Sequence, residues 1–325
     1  MSRHRHRPGQ QGAALLLAMV IVALVAAVTA GMVWQQTRVV QVEAAERARV
    51  QAAWILSGAL DWARLILRED LRNNRASAQP HDSLDEPWAT PLAEARLSTF
   101  LAADKDNNAD SGPEAFISGS ISDAQARFNL RGLLADDGKV QPLQQAALER
   151  LCAQVGVPTD TAQRIVQGLV ASLTPAPEAS GEAAGPPLRP ARLADLAWLG
   201  IEPATLARLE PFVDLLPAAT PVNLNTAPRE VMVAAIDGID LGSAERLVQA
   251  RQRTPLRSLD EVRSQLPPGT VLEPGRVSLI SSYFEVAGRL RLEDRVLEER
   301  SLLVRRDNQV QILRRERQSF TTAGR

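Results

Sequence analysis

The sequence has little of the chemistry that most enzyme sites need. It contains one cysteine, one tyrosine and three histidines. A structural zinc site needs four Cys or His ligands, and beyond its first ten residues the chain offers only Cys152 and His81. Asp123, Asp136 and Asp137 are carboxylate candidates in number, but their spacing does not indicate glycoside chemistry. We therefore predict that the protein is not an enzyme and that Cys152 is a small core residue.

The sequence also lacks a surplus of basic residues. Lys and Arg total 37 against 38 Asp and Glu, a net charge of -1. Loss of residues 1–12, which contain Arg3, Arg5 and Arg7, would leave about -4, that is -1 minus 3. Attraction of nucleic acid by bulk charge is disfavoured. A length of 325 residues is typical of two or three compact units.

Residues 13–33 contain no charged side chain, and a short basic segment ending in Gly12 precedes them without a spacer. An ordinary secretory signal is cut after its apolar region, whereas a cut between Gly12 and Ala13 would retain this one. A helix of this length can cross a hydrocarbon core of roughly 30 Å. The leading arginines predict a cytoplasmic N-terminus, with the rest of the chain outside. An uncleaved signal anchor is the alternative.

Between Pro8 and Pro80 there is no proline, so helix is predicted from about Ala13 to about Arg72. Beyond the apolar segment one face of this helix is apolar, and a sheet is expected to cover it. Its residues are Val39, Val42, Ala45, Ala52, Leu56, Leu60, Ala63 and Leu67.

Strand patterns lie on both sides of a helical middle, and together they predict an antiparallel sheet. Asp307 and Asn308 supply turn residues, and the interleaved Arg and Glu side chains are interpreted as a solvated face. The predicted strands are Ala115–Ser122, Leu279–Leu292, Arg295–Arg305 and Gln309–Arg315.

The middle of the chain, residues 123–276, is predicted to be helical, with a disordered surface loop at 174–190 that is rich in Pro, Ala, Gly and Glu. The predicted helices are Gln141–Val155, Thr159–Leu173, Leu193–Leu199 and Pro203–Pro211, followed by two closer elements.

These two elements resemble a helix-hairpin-helix unit. Asn223, Asn225 and Thr226 precede the first helix, which Thr226 is predicted to cap, and Gly238 permits the tight hairpin. Ser258 with Glu261 predicts a capping box. In nucleic-acid binders such hairpin amides hold a phosphate, but acidic side chains here would repel one, and a structural role is favoured.

The chain resembles the K-type minor pseudopilins of the type II secretion system, also called general secretion pathway protein K. The resemblance covers nearly the whole mature chain. It rests on the Gly12-Ala13 junction, on Leu60-Asp61-Trp62-Ala63-Arg64, on Ile121-Ser122-Asp123-Ala124-Gln125-Ala126-Arg127-Phe128-Asn129-Leu130, and on Val222-Asn223-Leu224-Asn225-Thr226-Ala227.

The resemblance implies an α+β fold in which a transmembrane helix continues into a long pilin-like helix packed on an antiparallel sheet, with a large inserted all-α domain, SAM-like or helix-hairpin-helix-like. The implied domains are a prepilin leader (1–12), a transmembrane helix (13–34), a first pilin-like part (35–122), the insertion (123–276) and C-terminal pilin-like strands (277–325).

The resemblance also implies the function: capping the pseudopilus tip with the I- and J-type minor pseudopilins and helping to initiate assembly for export of folded proteins. The prepilin peptidase would cleave after Gly12 and methylate Ala13, and further partners would be the major pseudopilin and the inner-membrane assembly platform, with no nucleic acid. The protein would be a single-pass inner-membrane protein with a periplasmic domain. Major pseudopilins carry a glutamate where this chain has Leu17. A competence-type pseudopilin that binds DNA is the alternative.

One metal candidate is the segment containing Asp104, Asp106, Asn108 and Asp110. Oxygen side chains at alternate positions suit calcium. The segment departs from an EF-hand loop, because Ala109 replaces the turn glycine and Ala115 occupies the position of the bidentate Glu. An acidic turn is the favoured interpretation, with calcium as the alternative.

Overall fold

The computed structural model describes residues 11–97, 115–173, 188–292 and 295–321. The predicted calcium segment and most of the predicted leader and 174–190 loop lie outside these ranges. The chain divides into a first unit that ends at Ile55 and a second, compact unit of Leu56–Arg325. The subdivision of the second unit into the domains expected from the sequence stays a prediction.

The predicted helices and strands are present in the predicted order. The structure adds a strand before Ala115 and four two-residue strands between Phe128 and Ser278. In chain order the helices are α1 (Gln11–Ala76), α2 (Pro142–Gln154), α3 (Asp160–Leu173), α4 (Pro203–Leu209), α5 (Arg229–Ala235), α6 (Leu241–Arg253) and α7 (Leu259–Ser264). The strands are β1 (Leu92–Arg96), β2 (Ala115–Asp123), β3 (Phe128–Asn129), β4 (Val213–Asp214), β5 (Val222–Asn223), β6 (Val277–Ser278), β7 (Tyr283–Leu292), β8 (Arg295–Arg306) and β9 (Gln309–Thr321).

The first unit is the N-terminal part of α1. Its apolar segment has a mean hydropathy of 2.7 and is long and apolar enough to cross a membrane. Leu17 is exposed, as are the other large apolar side chains of this segment. Exposed apolar side chains along such a helix are what a lipid environment requires.

The C-terminal part of α1, in the second unit, packs on a sheet, as predicted. Leu56, Leu60, Ala63 and Leu67 recur at four-, three- and four-residue spacing and are all buried. The last three share a core with Trp88, Phe284, Val286, Leu303 and Val310. The predicted covered face does not extend to Val39 and Val42, which are 58% and 56% exposed.

The sheet is antiparallel with the order β1-β2-β7-β8-β9. Asp307 and Asn308 both have positive φ, 51° and 65°, and join β8 to β9 in the two-residue turn that suits the twist of a hairpin. The prediction of a turn there is confirmed. The prediction that the interleaved charges form a solvated face is wrong for Glu299 and Arg305, which are 3% and 6% exposed.

The helices α2 to α7 form a second core, which the chain inserts between two neighbouring strands of the sheet. β2 ends at Asp123, paired with Phe284 at the start of β7, so the chain leaves and re-enters the sheet at adjacent positions. Cys152 lies fully buried in this core. Burial raises the pKa of its thiol to about 11, so it stays protonated, and the prediction of a core cysteine is confirmed.

A glycine in α3 lies close to a side chain of a neighbouring element of the insertion. A β-carbon added at Gly168 would lie 2.9 Å from Cβ and 2.7 Å from Cδ1 of Leu199, in the 3₁₀ helix Leu193–Leu199. At Gly58 in α1 the same atom would meet nothing within 4 Å.

We therefore expect opposite effects from two helical Gly→Ala substitutions. Gly168→Ala should destabilise the protein by about 1–3 kcal/mol through overpacking, whereas Gly58→Ala should be stabilising by about 0.5–1 kcal/mol because alanine restricts the unfolded chain. Chemical denaturation of residues 38–325, which omit the apolar segment, measures both. A stabilising Gly168→Ala would show that Leu199 does not pack there.

Candidate functional site

Five buried polar residues from distant parts of the chain meet where the insertion joins the sheet. This polar junction consists of Asp82 after α1, Asp123 at the end of β2, Asn223 in β5, Ser281 before β7 and Arg305 in β8. Each is 6% exposed or less. Burial of so many polar groups is costly unless each finds partners, so their bonds decide whether the junction is structural.

The Asp123 carboxylate is the centre of the junction on the insertion side. Its Oδ2 accepts hydrogen bonds from Ser281 Oγ at 2.6 Å, from Thr226 Oγ1 at 2.6 Å and from Asn223 Nδ2 at 2.9 Å. Its Oδ1 accepts from the Gln125 amide at 2.7 Å. Burial raises the pKa of Asp123, and these hydrogen bonds oppose that rise. The Asp123 side chain thus links the end of β2, where the insertion begins, to Ser281, where it ends, and to Asn223 in β5.

Arg305 and Asp82 form the sheet side of the junction. Arg305 Nη2 donates to Asp82 Oδ1 at 2.5 Å and Oδ2 at 2.6 Å, and to the Ser281 carbonyl at 2.6 Å. Its Nη1 donates to Asp70 on α1, and the guanidinium lies 4.4 Å above the Phe284 ring. The last turns of α1 are thereby attached to β8 and to the segment before β7.

The predicted residues Asn223 and Asn225 are structural. Asn223 Nδ2 also donates to the Asp82 carbonyl at 3.0 Å, and its Oδ1 accepts from the Asn225 amide at 3.0 Å. The Asn225 side chain both donates to and accepts from the Leu256 backbone at 2.9 Å. The two asparagine side chains therefore satisfy backbone groups of Asp82, Asn225 and Leu256.

The prediction that Thr226 caps a helix is wrong. α5 is preceded by Pro228, which makes no side-chain cap. The Thr226 hydroxyl instead donates to Asp123, 103 positions earlier in the chain. Half of the predicted capping box is confirmed, since Ser258 Oγ accepts from the Glu261 amide at 3.1 Å. The Glu261 carboxylate accepts from the Arg257 amide at 2.9 Å and not from the Ser258 amide.

The hairpin between α5 and α6 is occupied by the protein's own charges. Gly238 has a φ of 83°, the conformation that a glycine permits. Asp237 pairs with Arg276 at 2.5 Å and with Arg150. Asp240 accepts from the Ser243 amide at 2.7 Å at the start of α6. Carboxylates thus lie where a bound phosphate would need free donors.

The candidate acids Asp123, Asp136 and Asp137 are not brought together, because Asp136 and Asp137 lie exposed in a turn between Leu134 and Val140. The sequence patterns did not identify Asp70, Asp82 or Arg305. No local signal marks them, because Arg305 lies 235 positions from Asp70 and 223 positions from Asp82 along the chain.

A cluster of carboxylates, Asp70, Asp82 and Glu86, adjoins Arg305, and their oxygens lie within 4.8 Å of one another. Arg305 bonds two of them, and Glu86 Oε2 accepts from Trp88 Nε1 at 2.6 Å and from the Ser83 amide at 3.1 Å. Burial and the neighbouring carboxylates raise the pKa of Asp70 to about 7. Burial also raises the pKa of Glu86. A proton and a guanidinium therefore already neutralise much of this charge.

The raised pKa of Asp70 predicts how stability depends on pH. The folded state holds a proton up to about pH 7 that the unfolded chain releases near 3.8. Stability should therefore be fully present below that lower pH and fall as pH rises toward 7, by up to about 1.4 kcal/mol per pH unit. The Asp70→Asn variant, whose side chain is neutral at every pH, should lose less stability than the unmodified protein over the same rise in pH.

Denaturation of residues 38–325 from about pH 4 to about pH 8 tests this, since the linkage is a difference in proton binding. Asp61→Asn, an exposed carboxylate on the same helix, is the control and should follow the unmodified protein. Parallel curves for the unmodified protein and Asp70→Asn would contradict a proton on Asp70.

The comparisons with known proteins agree with this architecture. A model of the family described as Type II secretion system (T2SS), protein K, matches residues 222–278, and a second model with the same description matches residues 126–218. A crystal structure of the GspK-GspI-GspJ complex from the enterotoxigenic Escherichia coli type 2 secretion system aligns with a TM-score of 0.63 at 19% identity. The alignment covers 84% of this chain and 98% of the matched chain in that structure. That likeness confirms the α+β fold.

Two relatives align along most of their length. Type II secretion system protein K of Pectobacterium carotovorum subsp. carotovorum is 28% identical over 346 aligned positions, 97% of this chain and 99% of the relative. Type II secretion system protein K of Pseudomonas aeruginosa is 32% identical over 308 positions, 89% of this chain and 87% of the relative. On that similarity, the chain belongs to the type II secretion system protein K family.

Proposed function

We propose that this protein is the minor pseudopilin that caps the pseudopilus tip and helps to initiate its assembly for export of folded proteins across the outer membrane. The observation that carries the proposal is the helical insertion between the adjacent strands β2 and β7 of a pilin-like sheet. Family membership supports the assignment to the type II secretion system. The insertion supports the proposed position at the tip of the filament.

A helical filament repeats one contact between successive subunits, because a heterologous interface that does not close continues indefinitely. A subunit with a second core of its own, running from Phe128 to Leu279, adds bulk that each repeat would have to accommodate. A subunit at the end of the filament has neighbours on one side only. The insertion is therefore compatible with the tip and unfavourable within the shaft.

Leu17 supports the same position. A carboxylate in a bilayer is costly unless it is paired. A tip subunit has no neighbour ahead of it to supply an amine, and this chain has an exposed leucine at that place. Cleavage between Gly12 and Ala13 by the prepilin peptidase, followed by methylation of Ala13, would remove the basic leader and leave the apolar helix in the membrane.

The proposed location follows from the apolar helix and the charges around it. Arg3, Arg5 and Arg7 favour a cytoplasmic N-terminus, and the second unit would then lie in the periplasm. The proposed partners are the I- and J-type minor pseudopilins, by analogy with the GspK-GspI-GspJ complex. The major pseudopilin and the inner-membrane assembly platform would be met during assembly.

The DNA-binding alternative gains no support from the geometry. Asn223, Asn225 and Thr226 are buried, and the hairpin carboxylates Asp237 and Asp240 are held by internal partners. Calcium binding by Asp104, Asp106, Asn108 and Asp110 stays a proposal based on sequence alone.

We expect the full-length protein, co-expressed with the I- and J-type pseudopilins of its own organism, to elute with them as one discrete heterocomplex. Size-exclusion chromatography with light scattering in detergent would give its mass. The major pseudopilin in place of the I- and J-type subunits is the control. Three separate species at micromolar concentration would contradict the tip-complex proposal.

We expect Leu17→Glu to reduce secretion, because the new carboxylate would lie in the bilayer without a partner, at a cost of about 2.5–3.5 kcal/mol when charged. Leu17→Met, which preserves apolarity and volume, is the matched control and should secrete normally. Secreted cargo in the medium is the readout, with immunoblotting for subunit level in the membrane. Unchanged secretion with Leu17→Glu at a normal level would indicate a neighbouring amine ahead of this subunit and would contradict the tip position.

A further inference from the structure

A half-open cavity of about 330 Å³ lies in the insertion, away from the polar junction. Its wall is mostly apolar and is formed by Leu130, Leu134, Leu169 and Leu215, together with prolines and the aliphatic end of α3. Two arginines, Arg131 and Arg189, also line it. An apolar cleft of this size with a few converging polar groups is typical of a ligand site.

No carboxylate in the described part of the chain forms an ion pair with either guanidinium, although the more distant charge of Asp136 partly opposes the effect of Arg189 on Arg131. The two arginines are close enough to repel each other. Burial, and then the charge of Arg189, lower the pKa of Arg131. Arg189 is exposed and Arg131 is half-buried. Water therefore screens part of their repulsion, and an anion between them would offset the rest.

The walls of the cavity are fixed by hydrogen bonds. Asn129 accepts from the amides of Arg131 at 3.0 Å and Leu216 at 3.2 Å, which joins two walls. On the other side, the Ala191 amide donates to Asp195 at 3.0 Å, and the Ala191 carbonyl accepts from Arg314 of β9 at 3.0 Å. The cavity is therefore formed before any ligand enters, which reduces the cost of binding.

The polar groups favour a peptide over a simple fatty acid. Ser172 Oγ at the cavity donates its own proton to the Leu169 carbonyl at 2.7 Å. Its lone pairs are left to accept, and a peptide amide could supply the donor. A guanidinium pair matches the planar oxygens of a carboxylate.

We infer that this cavity binds the carboxyl terminus of a peptide with apolar last residues, its carboxylate held between Arg131 and Arg189 and its aliphatic side chains on the leucine wall. The site is distinct from the polar junction and does not depend on the proposed tip position.

Calorimetric titration of the full-length protein in lipid nanodiscs tests the inference, with empty nanodiscs as the blank. The probes are N-acetyl-Leu-Leu with a free carboxylate, the same dipeptide as its C-terminal amide, and octanoate. The acid should bind, and the amide about tenfold or more weakly, because a charge-assisted pair is lost. Added salt should weaken binding of the acid.

Arg131→Gln with Arg189→Gln should reduce affinity for the acid by about tenfold or more, because both charged donors are removed. Arg68→Gln removes an exposed charge on α1 and should leave affinity unchanged, and circular dichroism would confirm that both variants fold. Equal binding of acid and amide, or undiminished binding to the double variant, would overturn the inference. Tighter binding of octanoate than of the peptide acid would overturn the choice of a peptide.

Discussion

The buried contact between Arg305 and Asp82 joins three parts of the second unit, which are the end of α1, the return from the insertion and β8. Asp82 is fully buried and the Arg305 side chain is 2% exposed. The guanidinium also reaches Asp70 on α1 and the Ser281 carbonyl. Removing either partner would leave an uncompensated charge without water, a loss of about 3–5 kcal/mol. Loss of this contact would therefore destabilise the end of α1, the return from the insertion and β8 at the same time.

The pairing of β2 with β7 explains how the sheet tolerates a second core between these two adjacent strands. β2 and β7 are paired from Ala115↔Leu292 to Asp123↔Phe284, so the ends of the insertion are held side by side. Asp123 and Ser281 then join those ends directly at 2.6 Å. A long insertion with closed ends costs the sheet little beyond a loop-closure term that grows slowly with length. The pilin-like fold can thus carry the helical unit without losing its strand register.

Local signals predicted much of the fold and little of the junction. The proline-free run predicted α1, and Asp307 with Asn308 predicted the β8–β9 turn, because those structures depend on nearby residues. Arg305 was interpreted as solvated because strand alternation does not show what faces a charge. Thr226 fits a capping pattern, yet its partner lies 103 positions away. Apolar spacing at Val39 and Val42 shows an amphipathic helix but not whether this chain covers it.

The polar junction gives the fold specificity more than stability. An apolar cluster of the same volume would often stabilise a core as well or better than a buried ion pair, and apolar contacts are non-directional. They would hardly distinguish the observed β2–β7 register from a slipped one. Asp123 accepts four hydrogen bonds from fixed donors, among them Thr226 and Gln125, and a slip of one residue would turn its side chain to the other face of the sheet. The bonds from Ser281, Thr226 and Asn223 would then be lost together, which leaves the carboxylate with its local partner Gln125 alone. A slipped register is therefore disfavoured relative to the observed one.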